Sequence, residues 1–271
     1  MDKLIETRKE RFWHPEAWQR DQWVKNETVK LAPGSRVLDA GAGACKYRPL
    51  FDHCRYETQD FCKYQGPLVK YLQPIDYICD ILRIPVADAS FDAILCTEVF
   101  EHVVDPVAVL GEFSRLLKPG GKLFLTAPTA AYVHMEPYHY YSGFTQYWYE
   151  YWLPRRGFSI DKLQSYGGPG RFAVVSLQAF YTSWRAAEQN AHGLKRLASL
   201  AGRMLTKIPI HYVLAWLLPR FDQHLSRDQV CVGHMVTATR SVEMDLLAHH
   251  SSGEVVSKIE GAPGSFLNSS P

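Results

Sequence analysis

The chain has 271 residues, 46% of them hydrophobic, which suffices for one sizeable core and a small subdomain but not for two full domains. A formal net charge of +2 gives no argument for the dense basic face that binds polyanions, and no nucleic-acid partner is expected. Cysteines 45, 54, 62, 79, 96 and 231 show neither C-x-x-C pairing nor zinc spacing. They read as reduced thiols of a cytoplasmic protein, and the longest apolar run, IPIHYVLAWLLP at 208–219, is too short to span a bilayer.

In chain order, residues 16–31 carry Trp18, Trp23, Val24 and Val29 among charged neighbours, which predicts a helix. A strand at 36–39, a helix near 46–53, strands at 55–59, 75–79 and 92–96, a helix at 106–117 and a strand at 121–127 follow. That alternation is the pattern of a parallel sheet covered by helices on both faces. Asp105-Pro106 supplies a cap and a first-turn proline, and Pro119-Gly120-Gly121 stops the helix before the fifth strand. A sixth strand is predicted at 158–166. From about residue 248 the chain is rich in Gly, Ser and Pro without a sustained period, so 1–247 form the domain and 248–271 a flexible tail.

The motif VLDAGAG at 37–43 ends a buried strand at Asp39 and breaks into a loop at Gly41 and Gly43, where the backbone can pass close under a ligand. Asp60 closes the next strand about twenty positions on, the spacing at which a carboxylate reaches a ribose. A nicotinamide enzyme would use the same acid, but its third glycine is replaced here by Cys45, Lys46 and Tyr47, so a cofactor without pyrophosphate fits better.

With Asp80, FDAIL at 91–95 and LLKPGGKLFLTAP at 116–128, the sequence resembles the class I S-adenosylmethionine-dependent methyltransferases from about Arg36 to Phe158, resuming near Val230. The resemblance implies a Rossmann-like, mostly parallel seven-stranded sheet with an antiparallel last strand. It also implies that the first helix lies across the cofactor mouth, unless its tryptophans simply pack into the core. Asp39, Gly41 and Gly43 would wrap the methionine part, Asp60 the ribose, and Asp80 with Ile81 the adenine, with Glu98 lining the methionine pocket. The DAGAG variant resembles a subgroup met among bacterial glycan-modifying methyltransferases.

Methyl transfer from a sulfonium needs alignment more than acid catalysis, yet a hydroxyl acceptor must lose its proton to a base or near a metal. TEVFEHV at 97–103 offers Glu98, Glu101 and His102 just past the fourth strand. This cluster resembles those that hold a metal in ubiquinone-pathway O-methyltransferases and small-RNA 2′-O-methyltransferases, with His139 in the place of their additional histidine. Glu98, Glu101, His102 and His139 are therefore candidate ligands for Mg²⁺ or another divalent ion, and His102 and His139 candidate catalytic groups. The alternative is that His102 only bonds a backbone carbonyl; His134 has a weaker claim. Tyrosines and tryptophans crowd 129–152 and suit sugar rings, phenols and quinone heads alike.

The expected seventh strand, at 230–240, comes only after a helical insertion at about 172–228 between the last two strands. Leu194, Leu197, Ala198, Ala201, Leu205 and Ile208 recur there at helical spacing, with Lys195, Arg196, Arg203 and Lys207 mostly elsewhere on the surface and no acid from 189 to 221. Such a helix either packs as a small cap on the domain or lies on an anionic membrane, making the protein peripheral. The acceptor is expected to be a small molecule or glycan, nucleotide- or lipid-linked. A quinone or lipid phenol, or a non-catalytic binding subunit with the same fold, is the alternative.

Overall fold

The computed structural model describes residues 15–189, 192–224 and 230–242. The flexible tail expected at 248–271 lies outside them. Helix α1 (Pro15–Thr28) precedes strand β1 (Arg36–Ala40), a 3₁₀ turn (Arg48–Phe51), β2 (Arg55–Asp60), the two-residue β3 (Tyr77–Ile78) and β4 (Phe91–Thr97). A second 3₁₀ turn (Phe100–His102), α2 (Pro106–Leu116), β5 (Leu117–Pro128), α3 (Gln146–Arg155) and β6 (Phe158–Tyr166) follow. The helices α4 (Pro169–Gln189) and α5 (Gly193–Ile208) and a run of short helical turns over 209–223 then lead to β7 (Gly233–Arg240).

The sheet has the order β3-β2-β1-β4-β5-β7-β6. The first five strands are parallel, and β7 runs antiparallel between β5 and β6. This is the expected class I topology, with the helical insertion between β6 and β7. Successive residues point to opposite faces, so the sheet carries two cores. Leu38, Ile94, Leu123 and Leu125 pack with Phe100, Leu110 and Phe113 on one side. Val37, Leu95 and Phe124 pack with Trp23, Val24 and Phe51 on the other.

Two local expectations change. The helix predicted near 46–53 is only the turn Arg48–Phe51, with Pro49 in its first positions. Lys46 and Tyr47 instead reach across to Asp21 of α1 at 2.6 and 2.9 Å. Strand β5 starts at Leu117, before the Pro-Gly-Gly run: Phe91 pairs with Leu117 and Ala93 with Lys122, and the intervening residues bulge out of the ladder. Asp105 does cap α2, its carboxylate accepting from Ala108 N at 2.9 Å, with Pro106 in the first turn.

Candidate active site

The loops at the carboxyl ends of β1 to β4 enclose a cavity of about 490 Å³, within the range of about 300–1,000 Å³ usual for small ligands. Strand β1 ends in a turn through Gly41 and Gly43, both at positive φ. A Cβ on Gly41 would stand 2.4 Å from Val99 Cγ2, so any other residue there would push the turn after β4 away. Gly43 N donates to Asp60 Oδ2 at 2.9 Å, while Asp60 Oδ1 accepts from Cys62 N at 2.9 Å and Tyr71 OH at 3.1 Å. The acid that closes β2 thus ties the glycine loop to its own strand end.

Gly41, Gly43, Asp60, Asp80, Ile81, Glu98 and His102 all line the cavity. Asp39 does not. It lies buried beneath the loop, accepting a hydrogen bond from Tyr56 OH, and burial pushes its carboxyl up to about 7.

Glu98 sits in the left-handed region at φ 55, a strained position for a side chain with a Cβ. Thr126 Oγ1 (2.9 Å) and Tyr166 OH (3.3 Å) donate to its Oε1, and Arg20 Nη1 stands 3.0 Å from Oε2. Three elements distant in sequence therefore fix this carboxylate.

His102 Nδ1 lies 2.5 Å from the Tyr138 carbonyl. A carbonyl can only accept, so Nδ1 carries the proton and Nε2 keeps its lone pair. His134 is oriented the same way by the Tyr132 carbonyl at 2.7 Å. His139 has both ring nitrogens buried and without a partner. One nitrogen from each of His102, His134 and His139 falls within 4.8 Å of the others. Burial holds the His102 imidazole down at about 4 and lowers that of His139 as well. Glu101 lies behind this group, its Oε1 3.8 Å from His102 Nε2, with its carboxyl raised to about 8 by burial and then by Glu98.

Residues 38–125 match the family model described as a methyltransferase domain. The crystal structure of the [4+2]-cyclase SpnF superposes with a TM-score of 0.50 at 16% identity, over 84% of this chain and 82% of that one. The chain has the class I methyltransferase fold. Among curated sequences, a probable tRNA methyltransferase 9B of Homo sapiens is 31% identical over 115 residues, 40% of this chain and 24% of that protein. A ubiquinone biosynthesis O-methyltransferase of Xanthomonas axonopodis pv. citri (strain 306) is 60% identical over 134 residues, 43% of this chain and 55% of that protein. The chain thus spans about a quarter and about half of these two relatives.

Within the methyltransferase fold, the structure brings His102 and His139 together as their sequence positions suggest, but adds His134 rather than the two glutamates. Glu98 is turned to Arg20, Thr126 and Tyr166, and among the described residues the three histidines alone converge closely enough to hold an ion. Three imidazoles, two of them braced through the other nitrogen by backbone carbonyls, fit a borderline ion such as Zn²⁺ better than oxygen-seeking Mg²⁺. Gln59, whose Oε1 accepts from Gly41 N at 3.1 Å, Tyr71 and Arg20 carry no local sequence signal, because each acts through a contact eleven or more residues away in the chain. His134 did carry one, since it stands five residues before His139 in the same loop.

The aromatic loop divides its labour. Tyr138 and Tyr140 line the cavity. Tyr149 is fully buried, and Phe144 and Trp148 pack on Phe100, so they hold the 3₁₀ turn that carries His102. In addition, Tyr140 N and Tyr141 N both donate to the Glu101 carbonyl, at 2.8 and 3.2 Å. Of the first helix, Trp23 packs edge-on against Phe124 in the core, while Arg20 reaches the cavity wall through Glu98. A shallower depression of about 630 Å³ between 63–66 and 134–138 shares Lys63, Met135 and Tyr138 with the main cavity.

Proposed function

We propose that the protein is an S-adenosylmethionine-dependent O-methyltransferase acting on a hydroxyl of a sugar or glycan, or of a nucleotide- or lipid-linked small molecule. The observation that carries this reading is that His102 lines the same cavity as Asp60, Asp80 and Glu98, with its Nε2 lone pair left free by the Tyr138 carbonyl. In the reaction the acceptor oxygen bonds to the methyl carbon as the carbon–sulfur bond breaks, the electron pair passing to sulfur to leave S-adenosylhomocysteine. The hydroxyl proton goes to a base, and His102 Nε2 is the group placed for it. Asp60, braced by Gly43 and Tyr71, holds the ribose; Tyr138 and Tyr140 flank the acceptor side. If His102, His134 and His139 instead hold a divalent ion, the His102 Nε2 lone pair would be taken up by it, and the ion would supply Lewis acidity to the acceptor hydroxyl, whose proton would pass to solvent.

A quinone or other lipid phenol is the second reading, favoured by the 60% identity of one segment to a ubiquinone biosynthesis O-methyltransferase. A fold shared with a cyclase does not by itself name a reaction, which keeps a binding role open to test.

The decisive experiment is incubation with methyl-labelled donor and separate aqueous and organic metabolite fractions, followed by mass spectrometry. Labelled sugar or nucleotide-linked product supports the first reading and labelled phenol the second. Donor binding with no labelled product in any fraction overturns both. His102→Ala should lower turnover by about a hundredfold with little change in donor affinity. Elemental analysis and full activity in excess chelator would reject the ion and leave the base.

A further inference from the structure

Helix α5 packs the wrong way round for a cap. Its polar side faces α4: Ser199 Oγ accepts from Trp184 Nε1 at 2.7 Å, and Arg203 Nη1 donates to Tyr181 OH at 3.3 Å. The apolar side is turned out, with Leu194 83%, Leu197 64%, Met204 70% and Leu205 78% exposed. At 100° per residue these four fall within one arc of the helix, a stripe that a soluble cap would have buried. The turns that follow add exposed Trp216 and Phe221, and the Arg220 guanidinium lies over the Trp216 ring at 3.5 Å from its centroid.

We infer that this face of the insertion is a docking surface for an anionic lipid bilayer. Charge decides among occupants. No Asp or Glu occurs from 189 to 221, while Lys195 and Arg196 lie exposed beside the stripe and Arg220 beside Trp216. A second copy of the chain would bring two acid-free, basic faces together, and like charges across an interface oppose association. A negatively charged headgroup layer accepts the basic residues, while leucines enter the acyl boundary and the Trp216–Arg220 pair sits at headgroup level. The helix would lie in the interface plane; no helix among the described residues is long and apolar enough to cross a membrane. The inference needs no methyl transfer and stands or falls without it.

The test is co-sedimentation of the full chain with vesicles of phosphatidylcholine and phosphatidylglycerol in equal parts, against vesicles of phosphatidylcholine alone. Binding is expected to the anionic vesicles, to weaken with added salt, and to fall about a hundredfold in a Leu197→Ser/Leu205→Ser variant. Lys195→Glu/Arg196→Glu should lower it about tenfold or more. Since all four side chains are exposed, unchanged thermal melting shows that the variants fold, and a variant that melts early is replaced by Leu194→Ser/Met204→Ser. No sedimentation at low salt, equal binding to both vesicles, or equal binding by the leucine variant overturns the proposal. So does a dimer in solution that the leucine variant converts to a monomer, because a second copy would then own the face.

Discussion

Under the proposed function donor binding turns on Asp60, whose two oxygens hold the glycine loop, Cys62 N and Tyr71 in place. Asp60→Ala should weaken S-adenosylmethionine binding by about 1.5–3 kcal/mol, the worth of a charge-assisted acceptor, and calorimetry reads it directly. Asp39 gives a pH test instead. Its buried carboxyl titrates near 7 in the folded protein against 3.8 ordinarily, so between those values the folded state holds a proton that the unfolded state has lost. Stability from Asp39 is therefore full below about 4 and falls as pH rises towards 7. Urea unfolding at pH 5 and pH 8 should show Asp39→Asn, which keeps an acceptor for Tyr56, gaining on the parent by a few kcal/mol at the higher pH. Parallel curves for the two proteins would contradict it. The glycines and acids were legible because each announces a strand end at a fixed spacing. Side-chain direction was not: Glu98 and Glu101 stand three apart in sequence, yet a positive φ and Arg20 turn Glu98 away from the histidines.

At the scale of elements, the insertion is clasped by a single carboxylate. Asp222, buried near the end of the 209–223 turns, accepts from Gly168 N, Gly170 N and Arg171 N at 3.1, 2.6 and 3.3 Å. It satisfies the orphan amides at the start of α4 and meets the positive end of that helix. The close approach needs glycine, since a Cβ on Gly170 would stand 2.1 Å from the Leu218 carbonyl oxygen. Asp222→Ala should destabilise the protein by about 1.5–3 kcal/mol, because two buried donors and a part-buried one lose a charged acceptor. Hydrogen exchange should place the new opening in 168–223 and spare β1 to β5. None of this could be read beforehand: Asp222 follows a long acid-free run and looks like any surface acid, and its partners lie more than fifty residues back. The strands were readable because apolar runs and turn residues are local. Strand β3 shrank to Tyr77–Ile78, and the helix near 46–53 gave way to tertiary ties from Lys46 and Tyr47 to Asp21.

Across the whole molecule, the sequence conveyed a mostly parallel sheet and the existence of the insertion, while the strand order is a finding of the structure and the sense in which α5 packs depended on which face Trp184 and Tyr181 would claim. The insertion also leaves and re-enters the sheet at one point. Tyr166, the last residue of β6, pairs with Gly233, the first of β7, and Val232 N donates to the Tyr166 carbonyl at 3.0 Å. Two neighbouring antiparallel strand ends are what a tight turn of two to five residues joins in an ordinary hairpin. Replacing 168–231 with such a turn should leave a folded protein that still binds S-adenosylmethionine within about tenfold of the parent, measured by calorimetry, and loses vesicle binding altogether. The domain is then a socket and the helical segment a plug. Because the plug's own clasp, Asp222 on the start of α4, travels with it, the same socket could receive another plug, and with it another address, without any strand of the sheet having to change its neighbours.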